Sequence, residues 1–85
     1  MGYYGDDFIE MEIRRKQEKA ERYFEQKYTK AKDRRKYRPV LIEVLSQIRV
    51  CEELCCSLSE MVIKDWLDSE SIMYVNRCAR KIKLA

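Results

Sequence analysis

Between Val40 and Leu67 the chain reads VLIEVLSQIRVCEELCCSLSEMVIKDWL, its most apolar stretch, and this segment limits what the remainder can build. Leu41, Val44, Ile48, Cys51, Cys55, Leu58 and Val62 recur at three- and four-residue intervals. That spacing stacks them on one side of a helix and does not fit the alternation of a strand. Val40 and Leu54 widen the stripe on one flank, and Leu45, Cys56 and Ile63 on the other. The apolar arc is then roughly 200°, about twice what a helix lying on a surface needs. Such a helix has to be covered from two directions, with Ser46, Arg49, Glu53, Ser57, Glu60, Lys64 and Asp68 left on the wet side.

Proline is tolerated at the first position of a helix, where its missing N–H has no intrahelical partner. It also pushes the preceding residue out of helical geometry. Arg38 and Pro39 are therefore expected to form a break, with the central helix running from about 39 to 67. Upstream, Asp6 and Asp7 are candidate N-caps, and Ile9, Ile13, Ala20, Phe24, Tyr28 and Ala31 make a narrow seam, so a first helix is expected over about 6–37. Residues 1–5 read as a loose lead-in. Downstream, the cap formers Asp68 to Ser71 precede a seam of Ile72, Val75, Ala79 and Ile82, which predicts a short third helix over about 69–83.

Strand punctuation is nearly absent, with two glycines and one proline in 85 residues, and that length suits one small domain spanning 1–85. The fold expected is all-α: a three-helix antiparallel bundle with two long helices and one short C-terminal helix. No run reaches the ~18 apolar residues of a membrane span, and MGYYGDDF lacks the pattern of a signal peptide. A cytoplasmic location, or nuclear in a eukaryotic host, is expected. Four cysteines then read as reduced thiols.

The short third helix, about 22 Å long, would cover only the part of the central helix nearest their shared turn. Its other half would stay bare on one side, and an apolar strip of that kind marks an association surface. Val40, Leu41, Val44, Gln47 and Ile48 are accordingly expected to form a protein interface, occupied by a second copy or by a larger protein.

The second feature is KYTKAKDRRKYR, where Lys27, Lys30, Lys32, Arg34, Arg35, Lys36 and Arg38 face a single acid, Asp33. Basic side chains neutralise phosphates, and the interleaved Tyr28 and Tyr37 can stack on bases, so this run predicts a nucleic-acid or acidic-partner site. Against it stands the plainer alternative of a solvated end of the first helix, whose cations offset the negative pole of the helix dipole. Charge is also segregated, at +4 over residues 1–38, −5 over 39–70 and +4 over 71–85, so the acidic middle can neutralise the basic ends within the fold.

Catalytic chemistry has little to build on. With no histidine there is no ordinary Ser-His or Cys-His pair, and no glycine-rich phosphate loop occurs. Cys51, Cys55, Cys56 and Cys78 lack the paired clusters of a zinc site and read as core packing. Glu52 falls inside the apolar arc and, being costly to bury alone, should meet a base of the first helix or of a dimer partner. A non-enzymatic binding module is expected, with no metal, no cofactor, no small-molecule substrate and no membrane association. It would act through the Val40–Ile48 strip or, alternatively, as a small DNA- or RNA-binding regulator through the basic run.

Overall fold

A computed structural model describes residues 3–56 and 58–84, with the side chains of residues 3–7 and 84 outside the description. The described chain is helical throughout, in four helices: α1 (Tyr3–Lys27), α2 (Ala31–Glu53), α3 (Glu60–Ser69) and α4 (Ile72–Leu84). The all-α expectation holds, but the chain turns at different places from those its one proline and its apolar periodicity suggested. Of the expected lead-in, residues 1 and 2 lie outside the described residues, and residues 3–5 belong to α1.

The first difference is Pro39, which lies inside α2 instead of starting it. The chain breaks earlier, at Tyr28 to Lys30, where no glycine or proline marks a turn. Aromatic packing accounts for the position. Tyr28, 7 % exposed, stacks on Tyr37 with ring centroids 4.7 Å apart and tilts against Phe24 at 4.9 Å. Bringing Tyr28 and Tyr37 face to face requires a reversal between them, and burial of three rings outweighs the local preference of one proline.

The second difference is that the expected central helix is two helices. α2 ends in a Schellman arrangement, in which the Cys56 N–H donates to the Cys51 carbonyl at 2.9 Å and the Cys55 N–H to the Glu52 carbonyl at 3.1 Å. Cys55 takes the left-handed conformation, φ 58°, that this motif usually gives to glycine. The chain then reverses, and the Ser59 hydroxyl accepts from the Val62 N–H at 3.3 Å to cap α3. α3 ends at Glu70, also left-handed (φ 59°), and Ser71 caps α4 by accepting from the Tyr74 N–H at 3.3 Å.

Pairwise contacts fix the topology. Glu10 meets Arg49, Gln17 meets the Leu45 carbonyl and Tyr28 meets Tyr37, so α1 and α2 are antiparallel. Lys19 meets Glu60 and Lys27 meets Asp68, so α3 runs back along α2 in the direction of α1. α4 returns beside α2, where the Gln47 amide donates to Asn76 at 3.2 Å. Among the described residues α2 packs on all three other helices, whereas α1 and α4 do not touch. Ala20, Phe24, Val44, Ile48, Cys51, Leu58, Ile63, Trp66, Leu67, Val75 and Ala79 fill the space between them.

Candidate functional site

The strip expected to be exposed is core. Val40, Leu41, Val44, Gln47 and Ile48 retain between 0 % and 8 % of their surface. The reason is the reversal at residues 54–59. Because the chain folds back there, α4 lies beside the middle of α2, instead of hanging from its far end. Gln47 shows the contact directly, since its amide donates both to Asn76 of α4 and to Glu43 at 3.0 Å. The Gln47 Oε1 atom is buried without a hydrogen-bond partner.

The basic run occupies different ground from the end of a long first helix. Lys30 is the residue before α2, and Lys32, Arg34, Arg35, Lys36 and Arg38 lie in its opening turns, all exposed. The N-terminus of a helix is the positive pole of its dipole, so cations there are disfavoured by ~0.3–1 kcal/mol each within the first turn. Dipole compensation therefore does not explain this run. Asp33 is the one acid in the first turn of α2, and Lys30 at the cap position makes no side-chain cap bond.

Internal neutralisation does occur, but elsewhere. The acids of the middle segment engage α1: Glu52 pairs with Lys16, as its place in the apolar arc required, Glu60 with Lys19 at 2.5 Å, and Asp68 with Lys27 at 3.1 Å. Glu53, together with Glu10 of α1, holds Arg49. Among the described residues none of Lys30, Lys32, Arg34, Arg35, Lys36 and Arg38 forms a side-chain hydrogen bond or ion pair. The Lys36 ammonium does sit over the Tyr37 ring at 5.3 Å. Six cations against one acid give this corner a net charge of +5.

Lys27 differs from its neighbours in the run. It bridges Asp68 and, at 3.8 Å, Glu70. Burial acts to lower its pKa, but the bonds to Asp68 and Tyr28 outweigh that and raise it. Burial likewise acts to raise the Asp68 carboxyl, yet the Tyr23 hydroxyl, donating at 2.8 Å, and the Lys27 ammonium hold it below its ordinary value. Tyr28 donates to Glu70 at 3.0 Å, and its own pKa is raised first by burial and then by that bond. Lys27 thus belongs to a clasp that ties α1 to the α3–α4 turn. The two tyrosines of the run are also unavailable for base stacking, since Tyr28 is buried and Tyr37 half-buried against it.

The thiols divide by position. Cys51 is fully buried, and its pKa is raised by that burial and by the nearby Cys56. Cys55, expected on the apolar stripe, is exposed because it is the left-handed residue that turns the chain. No three histidine, cysteine, aspartate or glutamate side chains gather into a metal-binding group among the described residues, and no helix there is long and apolar enough to cross a membrane.

One feature carried no sequence signal beyond a small residue in a seam. Ala20 leaves a groove of about 210 Å³ between α1 and α3, bordered by Lys16, Lys19, Arg22 and Lys64. Comparison with family models, with characterised proteins and with solved structures gives no match to this chain.

Proposed function

We propose that this chain is a non-enzymatic binding module that docks on the phosphate backbone of a nucleic acid through Lys30, Lys32, Arg34, Arg35, Lys36 and Arg38. The observation that supports this is the concentration of charge: these six stand exposed at the cap and in the opening turns of α2, with Asp33 the one acid among them and no ion pair to any of the six among the described residues. A stack of phosphates supplies the missing counter-charge and releases condensed ions as it does so. Because Tyr28 and Tyr37 are engaged with each other, contact is with the backbone and little base preference follows. The Val40–Ile48 strip has no part in this reading, since α4 would first have to leave it.

Fluorescence anisotropy with labelled duplex and single-stranded oligonucleotides tests the proposal. Six phosphate contacts give a log K against log [salt] slope of about −5 on duplex DNA. Replacing Arg34, Arg35 and Lys36 by Gln should flatten the slope by about 3 while leaving the helical circular dichroism unchanged. Binding that ignores salt, or a triple variant that binds like the parent, refutes it. An acidic protein as the true counterpart would show as retention of the parent, but not the variant, by polyglutamate with no affinity for either oligonucleotide.

A further inference from the structure

The last helix carries a second group of cations. α4 reads IMYVNRCARKIKL, with Arg77, Arg80, Lys81 and Lys83 and no acid. All four are exposed, and none forms an ion pair among the described residues. Lys81 and Lys83 lie in the last turn, where the negative pole of the dipole favours them, but Arg77 and Arg80 lie before it. The direction of α4 ties this group to the basic corner. Glu70, shortly before α4, accepts from Tyr28, shortly before α2, and further along the Gln47 amide meets Asn76. The two helices therefore run side by side in the same direction. Gln47 lies deep in α2 and Asn76 only one turn into α4, so the opening turns of α2 overhang α4 by ~18 Å.

Both groups also look out from the same side of the molecule. Gln47 and Asn76 mark the seam between α2 and α4. At ~100° per residue, Lys32 and Lys36 fall within about 60° of Gln47 around α2, and Arg80 and Lys83 within about 40° of Asn76 around α4. Arg77 lies about 60° beyond Arg80, on the side of α4 opposite the buried Val75 and Ala79. Glu43, which sits between the groups, accepts from the Gln47 amide. Along the common axis ~22 Å separates the levels of Lys36 and Arg80, and ~33 Å those of Lys32 and Lys83. That span fits within the 47 Å length of the molecule.

We infer that the nucleic acid bound is a duplex laid along the α2–α4 face, with Arg77, Arg80 and Lys83 as a second phosphate anchor, which presupposes the phosphate binding proposed above. At 3.4 Å per base pair the two anchors together span about ten base pairs. Both sit on packed helices, so their spacing is fixed. A duplex is straight over ~33 Å and offers phosphates to both anchors without being ordered first. A single strand reaches both only if it is held extended, which single-strand binders achieve by stacking bases on aromatic rings. No ring is offered on this face. Phe24, Tyr28 and Trp66 are buried, Tyr37 stacks on Tyr28, and the Tyr74 hydroxyl is held by Asp65 at 2.5 Å. Phe8 and Tyr23 belong to α1, which does not touch α4.

Salt titrations of the full chain against hairpin-closed duplexes of about 6 and about 16 base pairs, and a single strand as long as the larger, test the inference. The shorter duplex, ~20 Å long, cannot reach both anchors, and the longer can. Replacing Arg77, Arg80 and Lys83 by Gln should flatten the log K against log [salt] slope by about 3 on the longer duplex and leave the shorter nearly unchanged. Arg77→Lys with Arg80→Lys should keep the parent slope, because phosphate neutralisation needs only the charge. In the same salt the longer duplex should bind at least tenfold more tightly than the single strand. The substituted positions are exposed, and circular dichroism reports whether each variant remains helical. Absence of salt-dependent binding to every oligonucleotide overturns the proposed function and the duplex together. Binding that is weakened by replacing Arg34, Arg35 and Lys36 but indifferent to the α4 substitutions overturns the second anchor alone. A single strand that binds as tightly as the longer duplex overturns the choice of duplex.

Discussion

Replacing Pro39 by Ala probes the point on which the basic corner depends. Pro39 is the ninth residue of a 23-residue helix, so it withholds the N–H that would bond the Arg35 carbonyl and presses its ring against that oxygen. In a helix interior this costs ~3 kcal/mol. Pro39 is exposed, so its replacement leaves the core untouched. The substitution also frees the unfolded chain, which returns ~0.4–1 kcal/mol to the denatured state. Pro39→Ala should therefore stabilise the fold by about 2 kcal/mol. For a chain of this size that is a rise in Tm of about 8–16 °C, read by thermal melting in far-ultraviolet circular dichroism. An unchanged or lowered Tm would refute the reasoning. It would mean that Arg38 and Pro39 form a break, that the cations lie at the end of a long first helix, and that the dipole favours them there. The unanswered charge on which the proposed function rests would then have an ordinary explanation.

Two further outcomes follow from the turns and the clasp. Cys55→Gly should stabilise by about 1 kcal/mol, since a left-handed φ costs a residue with a Cβ ~1–2 kcal/mol and glycine gives part of this back in chain entropy; a destabilised variant in urea titration would contradict the Schellman geometry. Asp68 has a folded pKa below its ordinary 3.8, so its contribution to stability is present at neutral pH and is lost as pH falls through the folded value. The stability difference between the parent and Asp68→Asn should accordingly be constant from neutral pH down to about 5 and vanish in stronger acid; a difference that persists there would place the clasp's energy outside the carboxylate.

Helix class was readable from periodicity, and so was the partner of Glu52, because an acid inside an apolar arc demands a base and α1 supplies Lys16. The chain reversals were harder. Apolar spacing ran unbroken from Cys51 through Cys55 to Leu58, yet Leu54 is 58 % exposed and Leu58 3 %, because a tight reversal happens to preserve the three-and-four rhythm. Ser57 and Ser59, both cap formers ahead of Glu60, were the local hint that a new helix begins there. At the other end, proline is the strongest local breaker, but Tyr28 finds its partner nine residues away in Tyr37, a contact no local rule contains. The interface strip was misplaced for the same reason: a cover estimated from helix lengths depends on where the helices turn. The basic residues themselves were legible by composition, whereas their position at the positive pole of α2 was not.

The order in which the helices lie along the chain has a bearing on synthesis. α4 is the last helix described and the one that lies beside Gln47 on the flank of α2 away from α1. During translation, at ~5–20 residues per second, its 13 residues follow α2 and α3 by about one to a few seconds. For that interval a nascent chain that has already paired α1 with α2 carries Val40, Val44 and Ile48 incompletely covered. The strip that is closed in the finished protein is thus a transient feature of its biogenesis, and the ribosome-bound chain is where a holdase would meet it.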